Sequence, residues 1–305
     1  MKNILLSLLI IALAFTATYI IIDELEFSKR GNSNSIAVTP TNQEDSEEPS
    51  DEEFYDDEPT EKRVVHNSID ISSFITDVKT WENYYKENID LSYDFIPLNA
   101  DGEEIEKEDF LTELQTGNYI PVKLPEMEVM YQLQTFDPKL HQKISKAIKS
   151  SASLHYTYYM KEGRSFPIFD FKDLYGNEYN TENTLGKITV IKCWFINCKV
   201  CVEEFPKLNE LFDRYEGYED LVFFSLAFDE PNKLRKFLAK KPFRYPVIAK
   251  QKDFMNDQIG VKQYPTHIIL DEYGNVLKMV NNVDSLITTL DEIMNGGQIA
   301  DLMTH

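Results

Sequence analysis

Cys198 and Cys201 frame the segment Cys198-Lys199-Val200-Cys201, the strongest chemical signal in the 305-residue chain. Ahead of it, Ile188-Thr189-Val190-Ile191 is β-branched and apolar, which predicts a buried strand continuing through Cys193-Trp194-Phe195-Ile196. Behind it, Val202, Phe205, Leu208, Leu211 and Phe212 recur at three- and four-residue steps, which predicts one face of a helix. Cys198 therefore falls where a buried strand hands over to a first helical turn. The unpaired N–H groups and partial positive charge at such a turn favour a thiolate. Lys199 adds a neighbouring cation. In sites of this kind a thiol pKa falls to roughly 3.5–7.5. Cys201 lies one turn on, within reach to close a disulfide. The predicted roles are Cys198 as the exposed nucleophile and Cys201 as the buried thiol that resolves a mixed disulfide.

Three other uses of the pair compete. Half of a zinc site would need more ligands, but there is no second Cys-x-x-Cys and His267 is the one plausible His nearby. Attachment of c-type haem requires a His where Val202 stands. A purely structural disulfide over so short a loop would constrain the unfolded chain little. Redox chemistry is favoured, with no metal and no cofactor required. Cys193, on the buried strand, reads as a small inert core residue.

The residues around the pair carry a resemblance. Trp194-Phe-Ile-Asn-Cys198-Lys-Val-Cys201-Val-Glu-Glu204-Phe-Pro206-Lys-Leu208 resembles the W-x-x-x-C-x-x-C-x-x-E-x-P-x-L signature of thioredoxin-like proteins of the TlpA/ResA type. These are membrane-anchored bacterial thiol–disulfide oxidoreductases of the AhpC/TSA-redoxin superfamily. Tyr264-Pro265-Thr266 resembles the family's cis-proline loop, and Leu270-Asp271 to Gly274-Asn-Val276 the hairpin after it. Phe166-Pro167-Ile-Phe169 and Asp173-Leu-Tyr-Gly176 resemble the opening hairpin. The likeness covers about residues 163–295. It implies a cis peptide at Pro265 beside the cysteines, with Tyr264, Thr266 and Trp194, the last packed next to the site, placed to meet a substrate chain. It makes Glu204 either a proton acceptor for Cys201 or an electrostatic aid to the helix start. Two positions depart from the pattern. Lys199-Val200 replaces a dipeptide that often holds Pro, and Lys192 stands where thioredoxin has a buried acid. A Lys192 ammonium turned toward the sulfur lowers the Cys198 pKa further; one turned to solvent does nothing.

Composition sets outer limits. A 42 % hydrophobic content suffices for a real core, and a net charge of −21 argues against nucleic-acid binding. Three cysteines are too few for a disulfide framework. After Lys2, Ile4 to Ile22 runs without a charge, close to the ~20 residues needed to span hydrocarbon. Residues 1–30 are read as an uncleaved membrane anchor, with a cleaved signal peptide as the alternative. Residues 31–63 form an acidic linker that cannot bury enough apolar surface to order itself.

Residues 64–160 read as a small α+β domain. Strands are expected near 91–97, 119–124 and 129–136, a helix over 108–115 closed by Gly117, and a second helix starting at Asp137-Pro138. His66, His141 and His155 lie apart and form no constellation. Residues 161–295 alternate strand and helix before a final hairpin and the helix Val283–Met294. That is the α/β pattern of a thioredoxin-like fold, a central mixed sheet with flanking helices. Residues 296–305 are expected to be a loose tail.

The resemblance implies a protein-disulfide reductase, tethered in a bacterial inner membrane by a single pass, with its redox domain in the periplasm or outside. Protein disulfides are its implied substrates, apocytochrome c in cytochrome c maturation among them, and a membrane thiol carrier its electron donor. A thiol peroxidase is one alternative, since peroxiredoxins share the broader fold. Their P-x-x-x-T-x-x-C pattern is missing, because Phe195-Ile196-Asn197 precede Cys198. A non-catalytic envelope interaction protein on the same scaffold is another, and the intact cysteine pair argues against it.

Overall fold

Asp77 starts the first helix of the computed structural model, in which residues 70–303 are described, with side chains through 296. Its carboxylate accepts from the N–H groups of Lys79 and Thr80, satisfying donors that a helix start leaves unpaired. The Ile4–Ile22 run, the 31–63 linker and His66 lie outside the described residues. Among the described residues no helix is long and apolar enough to cross a membrane. All of them belong to one compact unit spanning Thr60–His305.

Residues 70–160 contain α1 (Val78–Asn88), β1 (Ile96–Leu98), α2 (Lys107–Thr116), β2 (Tyr119–Lys123), β3 (Met130–Thr135) and α3 (Gln142–Tyr159). The three strands lie in the order β1-β3-β2, with β1 parallel and β2 antiparallel to β3. The strand expected from Leu91 starts only at Ile96. Asp90 Oδ1 accepts from Ser92 N–H at 2.9 Å, and this local turn takes the residues the ladder would need. The helix expected at Asp137-Pro138 likewise starts at Gln142, because Asp137 caps the Lys139 N–H in a separate turn. Gly117 ends α2 at φ +73, where a Cβ would also strike the Ser145 and Lys149 side chains.

α3 serves two cores. Ile144, Ile148 and Ala152 pack with Trp81, Phe110 and Leu114 of its own region. Leu154 and Tyr158, one turn apart near its end, enter a second core with Phe166, Ile191, Phe224 and Ile268.

That second core is covered by β4 (Asp170–Lys172), β5 (Glu178–Asn180) and α4 (Thr181–Thr184). Then come β6 (Ile188–Trp194), α5 (Lys199–Glu203), α6 (Phe205–Arg214), β7 (Leu221–Ala227), α7 (Pro231–Leu238) and β8 (Val247–Ile248). A π-helical turn over Phe254–Ile259, β9 (Thr266–Leu270), β10 (Val276–Val280) and α8 (Val283–Met303) complete the chain order. The sheet runs β10-β9-β6-β7-β8. β6 is parallel to β7 and antiparallel to β9, which makes it a mixed sheet. β6 is central, and its residues from Thr189 to Trp194 are all buried, as its continuous apolar run requires.

Two helices differ from the expected ones. The single helix expected after Cys198 is two, because Pro206 has no N–H to donate and sits in the first turn of α6. α8 continues through Gly296-Gly297 to Met303, beyond the expected end at Met294. Residues 70–160 are bonded to the sheet region at several points. Lys278 Nζ meets Asp94 Oδ1 at 2.7 Å, and Ser285 Oγ and Tyr93 Oη bond to Asp90 and Glu292.

Candidate active site

β6 delivers the chain to the loop Phe195–Asn197, which turns it into α5. Cys198 N–H donates to Phe195 O at 3.1 Å, and Ile196 N–H donates to Asp229 Oδ2 at 2.8 Å. Cys198 is the N-cap of α5. Its sulfur accepts from Cys201 N–H at 3.2 Å, and its carbonyl accepts from Val202 N–H at 3.2 Å. The helix-start N–H that favours a thiolate is therefore aimed at Cys198 Sγ. Cys198 and Cys201 form a disulfide with Cα atoms 5.3 Å apart. Cys198 is 9 % exposed and Cys201 0 %, so only the first residue of the pair reaches solvent.

Lys199 stands away from the pair, with its side chain 87 % exposed and its ammonium 3.5 Å from Glu203 Oε1. Cys193 is fully buried and unpaired, and burial pushes its thiol up to about 12. It is a protonated, inert core thiol at neutral pH.

Glu204, Lys192 and His267, each noted separately in the sequence, meet in one buried charge cluster. Cross-strand register sets Lys192 of β6 opposite His267 of β9. Lys192 Nζ donates to Glu204 Oε2 at 2.6 Å, and His267 Nε2 lies 3.1 Å from the same oxygen. Glu204 Oε1 accepts from Val283 N–H at 3.0 Å. Lys192 thus turns neither to the sulfur nor to solvent. Burial raises the Glu204 carboxyl pKa, but the bond from His267 and the charge and bond of Lys192 outweigh it and hold it below the ordinary carboxylate value. Burial, aided by the Lys192 charge, lowers His267 to about 4. A neutral His267 facing a carboxylate carries its proton on Nε2, and its buried Nδ1 has no partner. Each Glu204 oxygen is engaged by these groups. The sequence flags Glu204 by its family position and Lys192 as a lysine inside an apolar run, Ile191-Lys192-Cys193, but not that the two meet.

The other loop at the site is Gln263–Thr266, and its Tyr264–Pro265 peptide is cis. Tyr264 packs edge-on to Phe195 and Phe228, with ring centroids 5.6 and 4.9 Å away, and lies against the cluster containing both cysteines. Its hydroxyl donates to Asn256 Oδ1 at 2.6 Å. Trp194 and Thr266 were expected to meet substrate, but both are fully buried and present no surface to one. Trp194 donates from Nε1 to Ser225 Oγ and packs edge-on against Phe205, which shares a core cluster with both cysteines. His155 is buried on α3, remote in sequence from the pair, and His141 stands at the start of α3 without a side-chain capping bond. Among the described residues no group of His, Cys, Asp or Glu has the makings of a metal site.

Comparison with known proteins fits this geometry. The AhpC/TSA family matches residues 163–279. Thioredoxin-like protein YneN of Bacillus subtilis is 30 % identical over 129 residues, which are 40 % of this chain and 75 % of that protein. The chain belongs to the AhpC/TSA family. Thiol-disulfide oxidoreductase ResA of Geobacillus thermodenitrificans is a further relative, 27 % identical over 139 residues, covering 42 % of this chain and 79 % of that protein. A solved thioredoxin domain of a thiol-disulfide oxidoreductase from Bacteroides vulgatus aligns with 20 % identity and a TM-score of 0.40, over 43 % of this chain and 96 % of that one. The AhpC/TSA match runs from β4 into β10 and leaves α1 to α3 and α8 outside it. The sheet region is the thioredoxin-like α/β part of the chain, and its central strand leads through a short loop to the helix that carries both cysteines.

Proposed function

We propose that this chain is a thiol–disulfide oxidoreductase that exchanges electrons with protein disulfides through Cys198 and Cys201. The observation that carries the reading is the asymmetric pair at a helix start, with Cys201 N–H aimed at the sulfur of the more exposed Cys198. The relatives named thiol-disulfide oxidoreductase support it. In the reduced enzyme, the Cys198 thiolate attacks one sulfur of a substrate disulfide. The substrate S–S bond breaks, its second sulfur leaves as a thiolate and takes up a proton, and a mixed disulfide forms. Cys201 then loses its proton and attacks Cys198 Sγ. The mixed disulfide breaks, the substrate sulfur that Cys198 had attacked leaves as a thiolate and takes up a proton, and the Cys198–Cys201 disulfide remains. Two electrons have passed to the substrate. An external dithiol returns them.

We further propose that the pair works outside the cytoplasm on exported proteins, apocytochrome c in cytochrome c maturation among them, fed by a membrane thiol carrier. The apolar run Ile4–Ile22 supports a tether. Reduction of insulin by the full-length chain with dithiothreitol as donor tests the activity. Turnover above the dithiothreitol background, lost in Cys198→Ser, is expected; an equal rate in Cys198→Ser overturns it. Protease accessibility in intact cells tests the location.

A further inference from the structure

Tyr158 lies on α3, outside the residues that match the AhpC/TSA family. It is nevertheless buried against the loop beside the disulfide. Its hydroxyl is 2.6 Å from Thr266 Oγ1, and Thr266 Oγ1 is 2.7 Å from the carbonyl oxygen of Gln263. A carbonyl only accepts, so the single Thr266 hydroxyl proton goes to Gln263 O. Tyr158 must then be the donor in the first bond. The result is a directional chain, from Tyr158 Oη–H to Thr266 Oγ1 and from its O–H to Gln263 O. It joins the residues on either side of Tyr264-Pro265, whose Tyr264 ring packs against Phe195 and the cysteine cluster.

The Tyr158 end of this chain is fixed at both the ring and the helix that carries it. The Tyr158 ring sits in the core with Phe166, Ile191 and Ile268. About two to four turns earlier on the same helix, Ala152, Ile148 and Ile144 are locked into the core of residues 70–160. α3 is thus a rigid strut from that region to the loop.

We propose that Tyr158 is a positioning residue of the disulfide site, through which the region outside the family match holds the Gln263–Thr266 loop in place for a substrate chain. The kinetic part of this inference rests on the oxidoreductase reading. Removing the Tyr158 hydroxyl leaves a buried Thr266 oxygen without its donor, while the ring and its packing stay. The loop loosens, and binding of a protein disulfide weakens while sulfur chemistry at Cys198 does not.

The test uses the full-length chain with Tyr158→Phe, Thr266→Val and both together. Amide hydrogen exchange at Tyr264 and Thr266 is expected to rise about tenfold in Tyr158→Phe, with β6 and β7 unchanged. With insulin as the disulfide, KM is expected to rise about fivefold and kcat to stay within about twofold. The double variant should be no worse than either single one. Unchanged exchange overturns the tie, and faster exchange with an unchanged KM overturns the positioning role. If the unaltered chain fails to reduce insulin, the oxidoreductase reading falls, and the exchange comparison alone decides whether Tyr158 holds the loop.

Discussion

Lys192 Nζ and Glu204 Oε2 lie 2.6 Å apart with both side chains shielded from water. The ion pair sits where strand β6 approaches the cysteine helices, and His267 and Val283 N–H complete its coordination. Charges in such a place hold each other. Removing one strands the other, and this asymmetry governs the first prediction.

Lys192→Met is expected to destabilise the fold by about 3–5 kcal/mol, the usual cost of leaving one buried charge without its partner. Lys192→Met combined with Glu204→Gln should recover more than half of that loss. Urea unfolding of the three chains measures it. A loss under about 1 kcal/mol for the single change would mean that Glu204 is held by His267 and Val283 without help from Lys192.

The disulfide predicts which sulfur traps partners. Cys201→Ser should accumulate mixed disulfides through Cys198, because the thiol that resolves them is gone. Cys198→Ser should trap none and lose turnover, while Cys193→Ser keeps more than half of it. Non-reducing electrophoresis after capture reads the outcome. Partners held by Cys198→Ser instead would reverse the assigned roles.

Thiol acidity follows from the same helix start. In the reduced chain, Cys198 should titrate below about 8.5, the ordinary thiol value. The donor responsible is Cys201 N–H, since Lys199 is directed to solvent and paired with Glu203. Lys199→Ala should therefore move the titration by less than about half a unit. Thiolate absorbance against pH checks both statements. A large shift in Lys199→Ala would show that the ammonium swings over the sulfur once the disulfide opens.

Stability should fall in mild acid. Burial is the first cause in both His155 and His267, and it lowers each to about 4 from an ordinary 6.5. Between those values the unfolded chain binds protons that the folded chain refuses. The stability from keeping both rings neutral is complete above about pH 6.5 and is lost as pH falls toward 4, by up to about 3 kcal/mol for each ring. Glu204 acts in the same direction, because its depressed pKa also loses its benefit as pH falls. Urea midpoints at pH 7 and pH 5 should differ, and less so in His155→Asn. Equal midpoints in the unaltered chain would refute the buried neutral state.

The local chemistry was legible in the sequence alone. A β-branched run reads as a buried strand, the steps from Val202 to Phe212 read as a helix face, and the cysteines mark the join. These signals lie within a few residues of one another, and backbone sterics and side-chain periodicity are enough to express them. Where a short polar side chain competed for the backbone, the reading slipped. Asp90 and Asp137 each made a local turn that displaced an expected element, and Pro206 split an expected helix. The surroundings of the disulfide were decided only by tertiary structure. The neighbour of Lys192 depends on the register between β6 and β9, and that of Thr266 on a helix 108 residues earlier. Nothing in Lys192, Glu204, His267 or Tyr158 taken singly encodes such a meeting. Burial then makes it decisive, because a charge or hydroxyl removed from water must find its partner inside the fold.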